Sequence, residues 1–184
     1  MEPTKTIFYD ELVERCKQGD TRCYAVLYNQ YAKAMYNTSL RIVNNVPDAE
    51  DVLQESFAEA FRHLKDFNYA STFGAWLKKI IVNRSLNMLR RQNAICIDDL
   101  DFEQTTEEFV DEAELQLKVD KIKKAIGQLP GGYRAVLTLH LFEGYDYDEI
   151  GEIMKITPTT ARTQYYRAKG RLLNILIKEV CCEK

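Results

Sequence analysis

Residues 146–154 read DYDEIGEIM, and after Lys155-Ile156-Thr157-Pro158 the chain continues with TTARTQYYRAKGRLL at 159–173. The first segment places Ile150, Ile153 and Met154 on one face of a short helix, as a 3.6-residue period requires. Proline suits the first turn of a helix, where its fixed φ fits and an amide hydrogen would have no partner. Pro158 therefore marks the start of a second helix, after a brief turn through 155–157. In that helix Ala161, Tyr165, Ala168 and Leu172 form a narrow apolar stripe, whose two alanines allow close packing across the preceding helix. The opposite face carries Thr159, Thr160, Arg162, Thr163, Tyr166, Arg167 and Lys169. This is the pattern of a helix-turn-helix, in which the first turns of the second helix meet base edges in the major groove. Short hydroxyls allow close approach, arginine bonds bidentately to guanine or phosphate, and lysine adds a point charge. An ordinary helical hairpin with a solvated face is the plain alternative. Most solvated faces mix signs, however, and residues 155–178 hold 6 basic and no acidic side chains.

Outward from this segment, charge is distributed in blocks. The chain of 184 residues carries a net charge of only −3. Residues 1–67 have 8 basic and 11 acidic side chains, 68–97 have 5 basic and none acidic, and 98–118 have 1 basic and 9 acidic. Two acid-free basic segments separated by an acidic one suggest two phosphate-facing surfaces with a spacer. Gly19-Asp20, Pro47-Asp48, Pro130-Gly131-Gly132, Gly144 and Thr157-Pro158 punctuate segments of helical periodicity, and no alternating strand pattern interrupts them. The expected fold is all-α: two small helical domains at 1–93 and 112–184, joined by an acidic linker at 94–111, the C-terminal domain being the helix-turn-helix. Helices are expected over 7–18, 21–45, 48–66, 73–92, 112–128, 132–142, 147–154 and 159–178.

Composition excludes several classes. The five cysteines, at 16, 23, 96, 181 and 182, form no C-x-x-C pair, and His63 and His140 lie far from them. Neither structural zinc nor a disulfide framework is expected, and the thiols are read as reduced. No cofactor is expected. A carboxylate cluster beside a basic pocket, a glycine-rich phosphate loop and a Cys–His pair are all missing, which argues against a nucleic-acid enzyme. With no apolar run long enough to cross a bilayer and a polar start at Met1–Asp10, the expectation is a cytoplasmic protein without membrane insertion.

In the N-terminal half, 48–66 (DAEDVLQESFAEAFRHLKD) reads as an amphipathic helix with Asp48 as its cap. Leu53, Phe57, Phe61 and Leu64 form the buried stripe, while Asp51, Glu55 and Glu59 recur every four residues elsewhere. An acidic stripe cannot face phosphate, so it is either a solvated face or a docking face for a basic protein. A loop of aromatic and small polar residues follows: Phe67, Asn68, Tyr69, Ala70, Ser71, Thr72 and Phe73, leading to Trp76. The next helix aligns Lys79, Asn83, Asn87 and Arg90 on one side, with Leu77, Ile81 and Met88 on another. Aromatics beside a basic, amide-bearing helix suit unstacked bases, which offer a π-face and readable edges. The same aromatics could equally complete a small core.

Taken in order, DAEDVLQESFAEAFRHLKDF, FGAWLKKIIVNRSLNMLRR, the acidic stretch and LPGGYRAVLTLHLFEGYDYDEIGEIMKITPTTARTQYYRAKGRL resemble the extracytoplasmic-function sigma factors of bacterial RNA polymerase. The resemblance spans nearly the whole chain. It implies a subunit that binds core polymerase, recognises and melts promoters and so directs transcription initiation. It also implies that Asp51, Gln54 and Glu55 dock on the β′ coiled coil. Loop residues Asn68, Tyr69, Ser71, Thr72 and Phe73, with Lys79, Asn83, Asn87 and Arg90, would open the minus-ten element and hold a flipped base. Thr159, Thr160, Arg162, Thr163, Tyr166, Arg167 and Lys169 would read the minus-thirty-five duplex. Further implied partners are promoter DNA, the β flap and an anti-sigma factor. Thr159 stands where the family often has glycine, and Gln164 where it often has a basic residue. The competing reading is a stand-alone helix-turn-helix regulator of duplex operators, which leaves the segment 67–91 without a task.

Overall fold

A computed structural model describes residues 3–92 and 115–182. Among these the chain forms α1 (Pro3–Lys17), α2 (Thr21–Val43), α3 (Val46–Arg62), a 3-10 turn (Leu64–Asp66), α4 (Phe73–Arg91), α5 (Leu115–Gly127), α6 (Gly131–Leu141), α7 (Tyr147–Met154) and α8 (Pro158–Cys182), with no strand. The all-α expectation holds. The chain divides into two compact units, Met1–Met88 and Leu89–Lys184. This division falls in the last turn of α4, and the stretch 94–111 expected as a linker lies outside the described residues.

Local hydrogen bonding explains the helix ends of the first unit. Asp20 caps α2, its carboxylate accepting from the Arg22 amide at 3.1 Å and from Arg15 Nη2 at 2.7 Å, while the preceding Gly19 takes φ 96°, a conformation open to glycine at little cost. Asn45, not Asp48, opens α3: it is extended and its side chain accepts from the Asp48 amide at 3.0 Å. The expectation failed because Val46-Pro47 fits the first helical turn, Pro47 costing no hydrogen bond there. The helix expected to run to residue 66 stops at Arg62, and a 3-10 turn redirects the chain. That bend brings both Leu64 and Phe67 into the core with Val13, Leu27, Met35, Val52, Leu53, Phe57, Leu77 and Ile81. Phe61 of the expected stripe is only partly buried against this cluster. Small side chains at the meeting of α2 and α4 put the Ser85 hydroxyl 3.2 Å from that of Ser39, with Ile81 O as its own acceptor at 2.8 Å.

In the second unit α8 packs against α5, α6 and α7. Ile126, Leu129, Tyr133, Leu137 and Ala168 form the core, with Leu172 and Ile175 closing over it. Arg134 is buried and donates through Nη1 to Leu129 O (2.7 Å) and Gly127 O (3.4 Å). A cation here satisfies carbonyls left over at the end of α5, although burial lowers its pKa from the ordinary value.

Candidate nucleic-acid interface

The helix-turn-helix is specified residue by residue. Asp146 and Glu149 form a reciprocal capping box at the start of α7, with bonds of 2.8 and 2.9 Å, which satisfies two otherwise unpaired amides. The helix ends at Lys155, which adopts a left-handed φ of 61°. A Cβ on Gly151 would lie 2.9 Å from Ile156 O and 3.3 Å from Pro158 N, so glycine is what lets the turn fold back so closely. Thr157 then caps α8, its hydroxyl accepting from the Thr160 amide at 3.1 Å.

Along α8, Ala161 and Ala168 are fully buried and Tyr165 and Leu172 are partly so, matching the expected stripe. Of the proposed readers Thr159, Arg162, Thr163, Tyr166 and Lys169 are exposed, and Thr160 and Arg167 are half-buried. The Thr163 hydroxyl donates to Thr159 O at 2.9 Å, which leaves its oxygen lone pairs as acceptors. Arg162 sits 5.9 Å from the Tyr166 ring centroid. Gln164 belongs to the packing face: it is 2% exposed, and neither amide atom has a hydrogen-bond partner among the described residues. Its departure from the family pattern is therefore not on the outward face. An aromatic bracket with no local sequence signature joins this helix to α6 and α7. His140 stacks on Tyr147 (4.6 Å between centroids) and meets Tyr165 edge-on at 4.6 Å, and its Nδ1 lies 2.9 Å from Tyr145 O.

In the first unit the loop after the 3-10 turn exposes Asn68, Tyr69, Ser71 and Thr72, whereas Phe73 is enclosed at 1% exposure. The Phe73 ring packs against Tyr31, Phe67 and Trp76 at 5.4, 6.1 and 5.8 Å. It is a wall of the core in this conformation, the plainer of the two roles weighed for the aromatics. Asn68 Oδ1 accepts from the Ala70 amide (3.1 Å), and Thr72 Oγ1 accepts from the Ala75 amide (3.2 Å), capping α4. Tyr69 has φ 61°. Its hydroxyl donates to Glu14 Oε1 on α1, and its ring lies 4.3 Å from Lys17 Nζ. That hydroxyl, followed by Lys17, lowers the Glu14 pKa, while burial and then Glu14 raise that of Tyr69. On α4, Lys79, Asn83 and Asn87 are exposed and Arg90 is half-buried.

The acidic face of α3 also acts within the fold. Asp51, Gln54 and Glu55 are exposed, but Arg84 of α4 reaches Glu55 through Nη1 and Glu59 Oε2 through Nε (2.8 Å) and Nη2 (2.6 Å). The i, i+4 spacing of the two glutamates aligns them for one guanidinium, which gives two donors to a single Glu59 oxygen and a third to Glu55. Nothing local marks Arg84 for this clamp, since it sits in an acid-free basic segment whose pattern points to DNA.

Comparison with known proteins decides the family. Residues 27–95 match Sigma-70 region 2, and residues 120–172 match Sigma-70, region 4. The RNA polymerase sigma-H factor of Pseudomonas aeruginosa is 32% identical, the match covering 92% of this chain and 95% of that protein. The chain belongs to the extracytoplasmic-function sigma factors. The ECF sigma-E factor of Haemophilus influenzae is 30% identical (89% of this chain, 92% of that one), as is the ECF sigma factor SigE of Mycolicibacterium smegmatis (96% and 69%). Among solved folds, CnrH bound to the cytosolic domain of CnrY has a TM-score of 0.57 at 21% identity, covering 91% of this chain and 96% of that one. The sigma factor RpoE of Bartonella quintana, bound to the anti-sigma factor NepR, has a TM-score of 0.56 at 19% identity, covering 83% and 96%. As a sigma factor the chain directs promoter-specific initiation of transcription, with most of its region 2 match on the first unit and its region 4 match on the second.

Proposed function

We propose that this sigma factor divides promoter recognition among three surfaces. The α8 face carrying Thr159, Thr160, Arg162, Thr163, Tyr166, Arg167 and Lys169 reads the minus-thirty-five element as duplex. Asn68, Tyr69, Ser71 and Thr72, with Lys79, Asn83, Asn87 and Arg90, hold the melted minus-ten strand. Asp51, Gln54 and Glu55 dock on the β′ coiled coil of core polymerase. The chain is thus organised as domains at 1–93 and 112–184, with a linker at 94–111 that threads the polymerase, and the second domain rests on the β flap.

What carries this reading is that exposed Lys79 and Asn83 lie on α4, the helix that follows a loop with an exposed polar tip, in a stretch of 30 residues (68–97) without a single acid. A duplex regulator has no use for such a surface, whereas a melted strand needs both stacking and edge contacts. Holding an extruded base favours the open promoter by differential binding. The protein acts by binding, without a reaction or cofactor of its own, in the cytoplasm. Among the described residues no helix is long and apolar enough to cross a membrane. An anti-sigma factor is a further expected partner, in keeping with the complex recorded for the Bartonella protein.

The test is a division of labour in holoenzyme. Asn83→Ala is expected to reduce open-complex formation by about tenfold, the loss of one good edge contact, while leaving binding to an isolated minus-thirty-five duplex unchanged. Arg162→Ala should do the reverse. Loss of both activities in Asn83→Ala would contradict the assignment.

A further inference from the structure

The loop that faces the minus-ten strand is not held by its own residues alone. Tyr69 sits in the left-handed region at φ 61°, a conformation that a bulky side chain adopts at a cost and keeps only when its surroundings enforce it. The enforcement comes from α1. Lys17 Nζ donates to Phe67 O at 2.7 Å, lies 4.3 Å from the Tyr69 ring centroid and pairs with Glu14 at 3.3 Å. Glu14 accepts the Tyr69 hydroxyl. Tyr69 also packs on Phe67 at 4.7 Å, and Phe67 is buried. The loop is therefore gripped at two alternate residues, 67 and 69, and the grip leaves Asn68, Ala70, Ser71 and Thr72 exposed. The Asn68 amide oxygen accepts from the Ala70 amide at 3.1 Å, a bond that uses neither of the two side-chain N–H donors.

We propose that Glu14 and Lys17 are positioning residues for minus-ten recognition: by clasping Tyr69 and the Phe67 carbonyl they preset the Asn68–Thr72 loop for an unstacked base, so that α1 sharpens discrimination at that base without touching DNA. Preorganisation of this kind strengthens binding by removing the ordering cost from the moment of capture. It rests on the reading of the loop as the base-capturing element.

The sign of the effect separates this role from plain electrostatics. Removing a carboxylate near DNA should strengthen DNA binding if charge alone matters. Loss of the clasp should instead weaken capture. The experiment uses full-length protein in holoenzyme and promoter bubbles whose non-template strand is randomised across the minus-ten element, with bound strands sequenced. Glu14→Ala is expected to lower enrichment at one position by about fivefold, the scale of one hydrogen bond, with enrichment at the other positions unchanged. Glu14→Gln, which still offers an acceptor to the Tyr69 hydroxyl, should retain most of the preference. Thermal unfolding of each variant distinguishes a displaced loop from an unfolded domain, and the Gln variant keeps the test decisive if the Ala variant unfolds. Preference at that position that is unchanged or raised in Glu14→Ala overturns the proposal while the loop keeps its role. The same holds if Ala and Gln behave alike. Wild-type holoenzyme that enriches no base in the strand overturns the loop reading and the clasp together.

Discussion

Gln164 shows how a single side chain can mislead a reader of recognition helices. It lies in the second turn of α8, two residues from Arg162 and Tyr166, yet its amide is buried, with no hydrogen-bond partner for either polar atom among the described residues. A buried unpaired amide carries its full desolvation cost, whereas an apolar side chain of similar shape does not. Gln164→Met is accordingly expected to raise stability by about 1 kcal/mol in denaturant unfolding, with minus-thirty-five binding unchanged. Asp20 offers a second test at this scale. Arg15, and then the Arg22 amide, hold its carboxyl down to about 2 against an ordinary 3.8. A depressed carboxyl stabilises the fold above its unfolded pKa, and that contribution is lost as pH falls through the folded one. The acid limb between 3.8 and about 2 should therefore flatten in Asp20→Asn, as followed by helical circular dichroism.

At the scale of elements, the turn between α7 and α8 and the clamp between α3 and α4 carry the most information. Gly151→Ala would drive a methyl to 2.9 Å from Ile156 O. The expected loss is about 2 kcal/mol, as for other overpacked sites, together with weakened duplex binding because α8 shifts. Arg84→Met should cost about 1 kcal/mol by undoing charge-assisted contacts to two carboxylates, and should free Glu55 and Glu59 from α4. The positions of these elements were legible in advance because Pro158, Gly144, Pro130 and Gly19 punctuate strongly periodic helices. The cap of α3 was not, since Asn45 and Asp48 are both good caps and only backbone geometry chooses between them. The break at His63 was also hidden, because apolar spacing continues through Leu64 while the chain turns to bury Phe67. Among the site residues, the exposed face of α8 could be read from periodicity alone. Tertiary partners such as Glu14 with Tyr69, or Arg84 with Glu59, are 55 and 25 residues apart, and no local pattern announces them.

For the molecule as a whole, a net charge of −3 conceals two basic segments without acids, and this arrangement suits a subunit that recognises DNA only when tethered. Two weak contacts joined through a common partner gain from effective concentration, so neither needs high affinity alone. Free protein should bind duplex DNA poorly, and promoter binding by holoenzyme should fall steeply with salt as phosphate-bound cations are displaced. A filter-binding titration across ionic strength checks both. The most direct measurement is run-off transcription with purified core polymerase on a library of promoters. The account predicts initiation that depends on this chain and is confined to a subset sharing minus-thirty-five and minus-ten elements. DNA binding that is equally tight without polymerase, with no initiation when polymerase is added, would contradict it.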